Sequence, residues 1–367
     1  MNEKPLVTVT VCARNGAHWV EDCLDAIHAQ THRPLEIIAV NDGSTDSTGA
    51  LMDQWKQSNA ESDVRISIIQ QDALGLAAGR MIALQEAQGD WVAITDIDVR
   101  PERDWIEQLL VANVPVDDET IVAITGRTIF QTHTDIVSRF RAIEIASKYR
   151  SRPRRTSLAN GPCSMFRRQA LIDVGGFDPD WYHAEDMEVS LRLLNAGGSI
   201  VYAPDALVSH VPEVGVRRFL HKRRRDARAH VRIVRHYPSH QRLGPGFDFI
   251  GSAGIALSIF PIALLMLLSL LPLLLKLPTD QSLQDLWQTQ LALGGLMLGV
   301  LIEVMLWRGP LGVITRSMRK DGGKGGFVLA ISVRVLVLRW SIALWQGLAL
   351  GCFDALFARN GHRRLFG

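Results

Sequence analysis

Cysteine is scarce in this chain and wrongly spaced for metal or redox work. Cys12, Cys23, Cys163 and Cys352 form no pair with zinc-ligand or dithiol spacing. Cys12 sits in an apolar, strand-like run and reads as a small core residue, and the set fits a reducing compartment. An excess of one charge is also missing: 40 Lys and Arg stand against 38 Asp and Glu, a formal +2. That balance gives no support to a nucleic-acid binder. Aromatic residues make up only 7%, yet hydrophobic residues reach 47%, and the excess lies in the last third. The opening "MNEKPLVTVTVCARNG" lacks the pattern of a signal peptide, with Glu3 in its head and a short β-branched apolar run. The N-terminal part is therefore expected in the cytoplasm. No internal repeat is present, and 367 residues suit one large domain or two smaller ones.

What is there, up to about Asp98, is alternation. "PLVTVTVCA", "LEIIAV" (Leu35 to Val40), "VRISIIQ" and "WVAIT" read as buried strands. Helical spacing falls between them, at Trp19 to Gln30, after "STDST" with Ser44 or Thr45 as cap, and at Leu76 to Ala87. Such alternation implies an α/β fold with a mainly parallel sheet covered on both faces. Ligands of such sheets bind beyond the strand carboxyl ends, where Asn41-Asp42 and Asp96-Ile97-Asp98 fall. From Pro101 to about Pro212 the alternation weakens into an α+β half, with helices near Arg168 to Val174 and Asp186 to Ala196.

A basic run, Arg217 to His236, precedes a change of composition. Ile250 to Leu275 carries no charge and is long enough to span a bilayer, with Pro261 and Pro272 as kinks. A second span is expected at about 288–307, apolar from Leu291 to Trp307 apart from Glu303. Lys276, Asp280 and Asp285 lie between these spans, whereas Arg308, Arg316, Arg319, Lys320 and Lys324 follow them. That bias puts the basic loop and the N-terminal domain on one, cytoplasmic, side. A third apolar stretch, about 327–352, contains Arg334 and Arg339 and is expected in the interface or re-entrant, since a full span would place "ARNGHRR" outside. The expected division is 1–236 for the catalytic domain and 237–367 for a multi-pass membrane region in the inner (cytoplasmic) membrane.

Several clusters carry chemistry. In "AVNDGSTDST", Asp42 leaves a strand end and can accept hydrogen bonds from a ribose or base; the plain alternative is a turn plus helix cap. In "GLAAGRMIALQ", Arg80 suits a diphosphate, although a lone arginine on a helix is ordinarily a solvated surface residue. Asp96 and Asp98 are two apart, so on a continuing strand they share a side. Two such acids suit Mg²⁺ or Mn²⁺ bound to nucleotide phosphates. Glu185 and Asp186 open a helix, where carboxylates are favoured by the dipole, or where one serves as a general base. His210, after a short strand, is a structural histidine or a metal ligand.

Taken together, "TVTVCARN", "VNDGSTDST", "GLAAGR", "AITDID", "MFRRQALIDVGGFD", "AEDMEVSLRLLNAG" and "YAPDALVSH" resemble, in this order, the family-2 glycosyltransferases of the GT-A fold, over roughly residues 5 to 235. The resemblance implies a mixed, mainly parallel sheet flanked by helices and an inverting sugar transfer from a nucleotide diphosphate. It implies Asp42 as nucleoside-binding acid, with Arg14, Arg80 and Asp96 also on the nucleotide sugar. Asp98 becomes the direct metal ligand, His210 a second one, Asp186 the catalytic base and Glu185 its neighbour toward the acceptor.

The sequence also departs from the family. Met81 stands where asparagine often follows the arginine. "FLHKRRRDARAH" lacks the Gln-x-x-Arg-Trp motif of processive members, which points to a single transfer. Arg223, Arg224, Arg225 and Arg228 are candidates to steady the leaving diphosphate. Most of the basic run is expected instead to face anionic lipid. The expected partners are a nucleotide sugar, UDP by default, and a membrane lipid or lipid-linked acceptor. A polysaccharide synthase is the alternative enzyme, and a catalytically silent nucleotide-sugar-binding protein is the alternative of another class.

Overall fold

The β-branched run Val7–Ala13 forms β1, and its alternation divides the interior. Val7, Val9 and Val11 enter one hydrophobic core and Cys12 enters the other, on the opposite face of the sheet. In this computed structural model the described residues are 4–115, 118–242, 249–275, 283–308, 310–322, 326–357 and 359. Along the first half run α1 (Val20–His28), β2 (Leu35–Asp42), α2 (Thr48–Ser58), β3 (Arg65–Gln71), α3 (Leu76–Glu86), β4 (Trp91–Asp96), β5 (Val99–Pro101) and α4 (Trp105–Val111). The second half adds β6 (Ile121–Phe130), α5 (Ile136–Arg150), β7 (Arg155–Thr156), β8 (Ser164–Arg167), α6 (Arg168–Asp173), α7 (Glu185–Asn195), β9 (Ser199–His210) and α8 (Val216–His236).

The nine strands make one sheet in the order β3-β2-β1-β4-β8-β6-β9-β5, with β7 paired to β9. β1 to β4 are mutually parallel, whereas β8 runs against both β4 and β6. The expected mainly parallel, mixed α/β sheet is therefore observed. Every residue of β1 and β2 is buried, as a sheet covered on both faces requires.

Three local expectations change. α2 starts at Thr48 rather than at a Ser44 or Thr45 cap, because those two residues are engaged by Asn15. Ser44 Oγ accepts from the Asn15 N–H at 2.9 Å, and the Thr45 N–H donates to Asn15 Oδ1 at 2.8 Å. Strand β4 stops at Asp96, and Ile97-Asp98 form a tight turn into β5. Strand alternation thus does not relate the two aspartates. β9, expected to be short, has 12 residues and ends at His210.

Four helices follow: α9 (Phe249–Leu275), α10 (Leu283–Arg308), α11 (Pro310–Gly322) and α12 (Gly326–Leu356). Lys276, Asp280 and Lys324 of the expected charge asymmetry lie outside the described residues. By length and composition one helix among the described residues, Phe327–Leu356, could cross a membrane; the apolar stretches Ala256–Ser269 and Gln290–Ile302 are shorter. The third apolar stretch forms one unbroken helix, α12, with Arg334 and Arg339 both on its exposed side. The C-terminal helices share a hydrophobic cluster with α5 and α8, in which Phe140 of α5 and Phe219 of α8 pack edge-on against Trp340 of α12.

Candidate active site

Register places the strand ends side by side. Ala13 pairs with Asn41 and Cys12 with Asp96, so Arg14, Asp42 and Asp96 emerge together at the carboxyl edge. A cavity of about 620 Å³ lies there, and Arg14, Asp42, Arg80, Asp96, Glu185 and Asp186 all line it. Asp98 and His210 are not among its wall residues. They face each other just past the end of β4, with His210 Nε2 3.5 Å from Asp98 Oδ1.

Asp42 is largely occupied by its own chain. Its Oδ1 accepts from Gln71 Nε2 and from the Leu74 and Gly75 N–H groups at 2.7, 2.7 and 2.9 Å. Oδ2 takes only a shared bond from Gly75 N–H at 3.0 Å and retains acceptor capacity. Gly43 makes the turn possible: its φ is +58°, and a Cβ there would meet Ala73 N at 2.5 Å.

Arg80 is not a solvated surface arginine: it lies on the cavity wall and is held by two carboxylates. It is 3% exposed and donates to Glu185 Oε1 at 2.6 Å and to Asp96 Oδ1 at 3.2 Å. Burial alone would weaken its charge, but Glu185 and Asp96 more than reverse this and hold its pKa above the ordinary value. Arg80 thereby ties the end of β4 to the start of α7.

Asp186 is the open carboxylate of the pair. Glu185 is buried against Arg80, whereas Asp186 is half-buried on the cavity wall. Its oxygens accept from the Gly161 N–H at 3.1 Å and the Met187 N–H at 2.8 Å, which fix its direction. Ala184, just before the pair, has φ +64°, a left-handed conformation costly for a residue with a Cβ.

The Asp98–His210 pair is pinned by the sheet. β5 pairs Val99 with His210, and the Val211 N–H donates to the Asp98 carbonyl at 3.0 Å. His210 stacks on Phe130 with ring centroids 4.4 Å apart. Its Nδ1–H donates to Val211 O at 2.8 Å, which turns Nε2 toward Asp98. Among the described residues no three His, Cys, Asp or Glu side chains gather into a metal cage. A two-ligand site fits a hard cation that takes its remaining oxygens from substrate phosphates.

The basic run serves three surfaces. Lys222, Arg223, Arg225, Asp226 and His230 line the cavity. Arg228 grips Asp354 of α12 through two bonds of 2.6 and 2.8 Å. Arg217, Arg218, His221 and Arg224 face away into a second groove. Of the four candidate arginines, Arg223 and Arg225 therefore reach the cavity.

Sequence reasoning missed two features here. His183 Nε2 lies 2.6 Å from Asp226 Oδ1, Arg225 donates to His183 Nδ1 at 3.0 Å, and Arg223 pairs with Asp226 at 3.1 Å. Burial opposes the Asp226 charge, but Arg223 and His183 hold its carboxyl well below the usual range. Burial pushes Lys222 down, against the pull of Glu213. The second feature is Trp340 and Leu344 of α12, which complete the cavity wall. A readable signal existed for it in Gly347-x-x-x-Gly351, the small-residue spacing that lets helices approach closely.

A mixed sheet with acids at its parallel carboxyl edge, facing a helix that opens with Glu-Asp, is the arrangement of GT-A nucleotide-sugar transferases. A sequence model of the glycosyl transferase family 2 matches residues 8–175, and that part of the chain is a family-2 glycosyltransferase domain. A glycosyltransferase of Streptococcus pneumoniae is 38% identical over 103 residues, 28% of this chain and 14% of that protein. A poly-β-1,6-N-acetyl-D-glucosamine synthase of Staphylococcus aureus is 28% identical over 207 residues, 55% of this chain and 48% of the synthase. The chain thus spans about half, or less, of these curated relatives. A mannosyltransferase from Pyrobaculum calidifontis, solved with GDP-Man and Mn²⁺, superposes with a TM-score of 0.55 at 22% identity, over 96% of this chain and 88% of that one. That likeness is one of fold, and its coverage takes in the C-terminal helices.

Proposed function

We propose that the protein is a membrane-anchored, inverting glycosyltransferase that moves one sugar from a nucleotide diphosphate, UDP by default, to a lipid or lipid-linked acceptor. The observation that carries this reading is the cavity wall: acids of the sheet edge, the Glu185-Asp186 helix start and the apolar helix α12 all border one space. A polar donor site open to an apolar helix suits an acceptor with a lipid part.

The roles follow from charge and position. Asp42, Asp96 and Arg14 hold the nucleotide sugar at the strand ends. Arg80 acts one step back, setting Asp96 and Glu185. Asp98 with His210 would hold Mg²⁺ or Mn²⁺, which when bound neutralises charge on the departing nucleotide. Arg223 and Arg225, with Lys222, add positive potential along the cavity. Asp186 removes the acceptor proton as its oxygen attacks the anomeric carbon. Residues 1–236 form the transferase domain and 237–367 the membrane region, in the inner membrane, with several spans and the catalytic domain on the cytoplasmic side. The length and apolar composition of α12 and the basic face of α8 support this placement.

A second reading, synthesis of an exported polysaccharide, is favoured by the similarity to the Staphylococcus aureus synthase. The missing Gln-x-x-Arg-Trp motif argues against it. One experiment tests both: membranes holding the full chain, incubated with labelled nucleotide sugars, with and without Mg²⁺ or Mn²⁺. Metal-dependent label on an organic-extractable product supports the first reading. A long water-soluble chain supports the second, and no transfer from any donor removes both.

A further inference from the structure

Behind the catalytic cavity, on the other side of the α8–α12 contact, lies a groove of about 1090 Å³. Arg217, Arg218, His221 and Arg224 of α8 and Arg339 of α12 border it, over an apolar floor that includes Leu220 and Ile342. The α8 residues fall at helical spacing on one face. The carboxylates beside α8 are engaged elsewhere: Asp226 by His183 and Arg223, Asp354 by Arg228, Glu213 by Arg141, and Asp135 by the backbone N–H groups of Val137, Ser138 and Gly215. Among the described residues no carboxylate pairs with Arg217, Arg218, Arg224 or Arg339. Four guanidinium groups thus converge with no carboxylate partner among the described residues. His221 adds none: burial, with Arg225 and Arg224 nearby, lowers its pKa, and its Nδ1 accepts from Arg224 at 3.3 Å.

The groove has a direction. From Arg339 and Ile342, one face of α12 continues toward its start through Val335, Ile331 and Val328, which are 50%, 44% and 68% exposed. A multiply charged anion pocket therefore leads into an exposed apolar track on a helix long enough to cross a membrane. A free phosphate would use only the first part. A lipid with an anionic phosphate headgroup would use both, with arginine as the side chain suited to phosphate oxygens.

We propose that this groove binds the phosphate headgroup of an anionic phospholipid, with its acyl chains along Val335, Ile331 and Val328. The site is separate from the cavity and does not take part in sugar transfer. It rests on the membrane placement proposed above, but not on the identity of donor or acceptor.

The test uses the full chain in dodecyl maltoside micelles doped with phosphatidylglycerol, with phosphatidylcholine, or with soluble glycerol phosphate in place of lipid. Thermal unfolding is the readout, since a ligand of the folded state raises its midpoint. Phosphatidylglycerol should raise it by about 3 °C or more, and the other two additives should not. R217Q/R218Q, at exposed positions, should lose the shift and remain folded without lipid; R339Q is the independent second variant. An equal shift with phosphatidylcholine or glycerol phosphate, or one retained in both variants, overturns the proposal. Lipid shift without sugar transfer would leave the groove standing and sink the enzymatic reading. Carbonate extraction of the wild-type chain from membranes would remove the placement, and the groove with it.

Discussion

Arg80 of α3 and Glu185 of α7 meet 2.6 Å apart, both withdrawn from solvent, at the wall of the catalytic cavity. The same guanidinium reaches Asp96 at 3.2 Å. One cation therefore joins the end of β4, at Asp96, to the start of α7, where Glu185 and the proposed base Asp186 lie. Removing it leaves a buried carboxylate without its partner, a change that typically costs about 3–5 kcal/mol. Arg80→Ala should lower the unfolding free energy by that order and reduce transfer as Asp96 and Glu185 shift. Arg80→Lys should restore part of the stability, because the charge returns without the two-pronged geometry. Denaturant unfolding of the three proteins checks this. Wild-type stability in Arg80→Ala would show that the pair contributes little.

Asp186 stands apart from its neighbour because its oxygens are oriented by two backbone N–H groups and not by a cation. Asp186→Asn keeps shape and removes the proton acceptor. Turnover should fall by about 10²–10⁴-fold, the usual worth of a general base, with donor affinity unchanged. Glu185→Gln should act differently, weakening the fold through Arg80. Normal turnover in Asp186→Asn would remove this residue from the mechanism.

Much of this was legible because strand ends are marked by composition. Runs such as "LEIIAV" and "WVAIT" stop where Asp42 and Asp96 begin, and a parallel sheet brings such ends together. The fates of individual charges were not legible. Arg80 looks like any helical arginine until α7, over a hundred residues later, places Glu185 against it. Asp98 keeps its place beside His210 through the β5–β9 pairing and not through strand alternation. The basic run looked uniform because its division among cavity, α12 and groove depends on which face α12 covers, a contact set by distant small residues.

The Asp98–His210 pair makes a metal prediction that needs no donor identity. Asp98→Ala or His210→Ala should weaken Mn²⁺ binding about 10–100-fold, as lost ligand or orienting groups commonly do. Mn²⁺ titration by calorimetry, with nucleotide diphosphate present, reads this directly. Chelator should abolish transfer in the wild type, and excess Mn²⁺ should restore it. Unaltered affinity in both variants would place the cation elsewhere.

A buried cluster on α5 predicts acid sensitivity. Glu144 contacts Arg141 and Lys148, and Arg141 donates to Glu213 at 2.9 Å. Burial opposes the Glu144 charge, but Arg141 and Lys148 carry its pKa down from 4.5 to about 2. Glu213 is lowered as well, by Arg141 and Lys222 against burial. A depressed carboxylate stabilises the fold above its unfolded pKa, and that contribution is lost as pH falls toward the folded value. For Glu144 the amount is about 3 kcal/mol, complete near neutrality and draining between about pH 5 and 2. Glu144→Gln should be less stable at pH 7 and lose less on acidification. Parallel pH–stability curves for the two proteins would refute the assignment.

The last prediction concerns how α12 reaches the cavity. A Cβ on Gly347 would lie 2.3 Å from the Arg224 carbonyl oxygen, and one on Gly351 would lie 2.6 Å from Val231 Cβ. Backbone cannot yield as a flexible side chain can, so Gly347→Val must push α12 from α8. Overpacking of this kind costs about 1–3 kcal/mol. It should also draw Trp340 and Leu344 off the cavity wall and open the Arg228–Asp354 contact. Because Asp42, Asp96 and Asp98 lie on the sheet edge, donor and metal affinity should survive while transfer to a lipid acceptor falls. A matched assay separates these effects, with nucleotide and Mn²⁺ titrations beside transfer to organic-extractable product. Full transfer in Gly347→Val would mean that α12 anchors the domain without shaping its acceptor side.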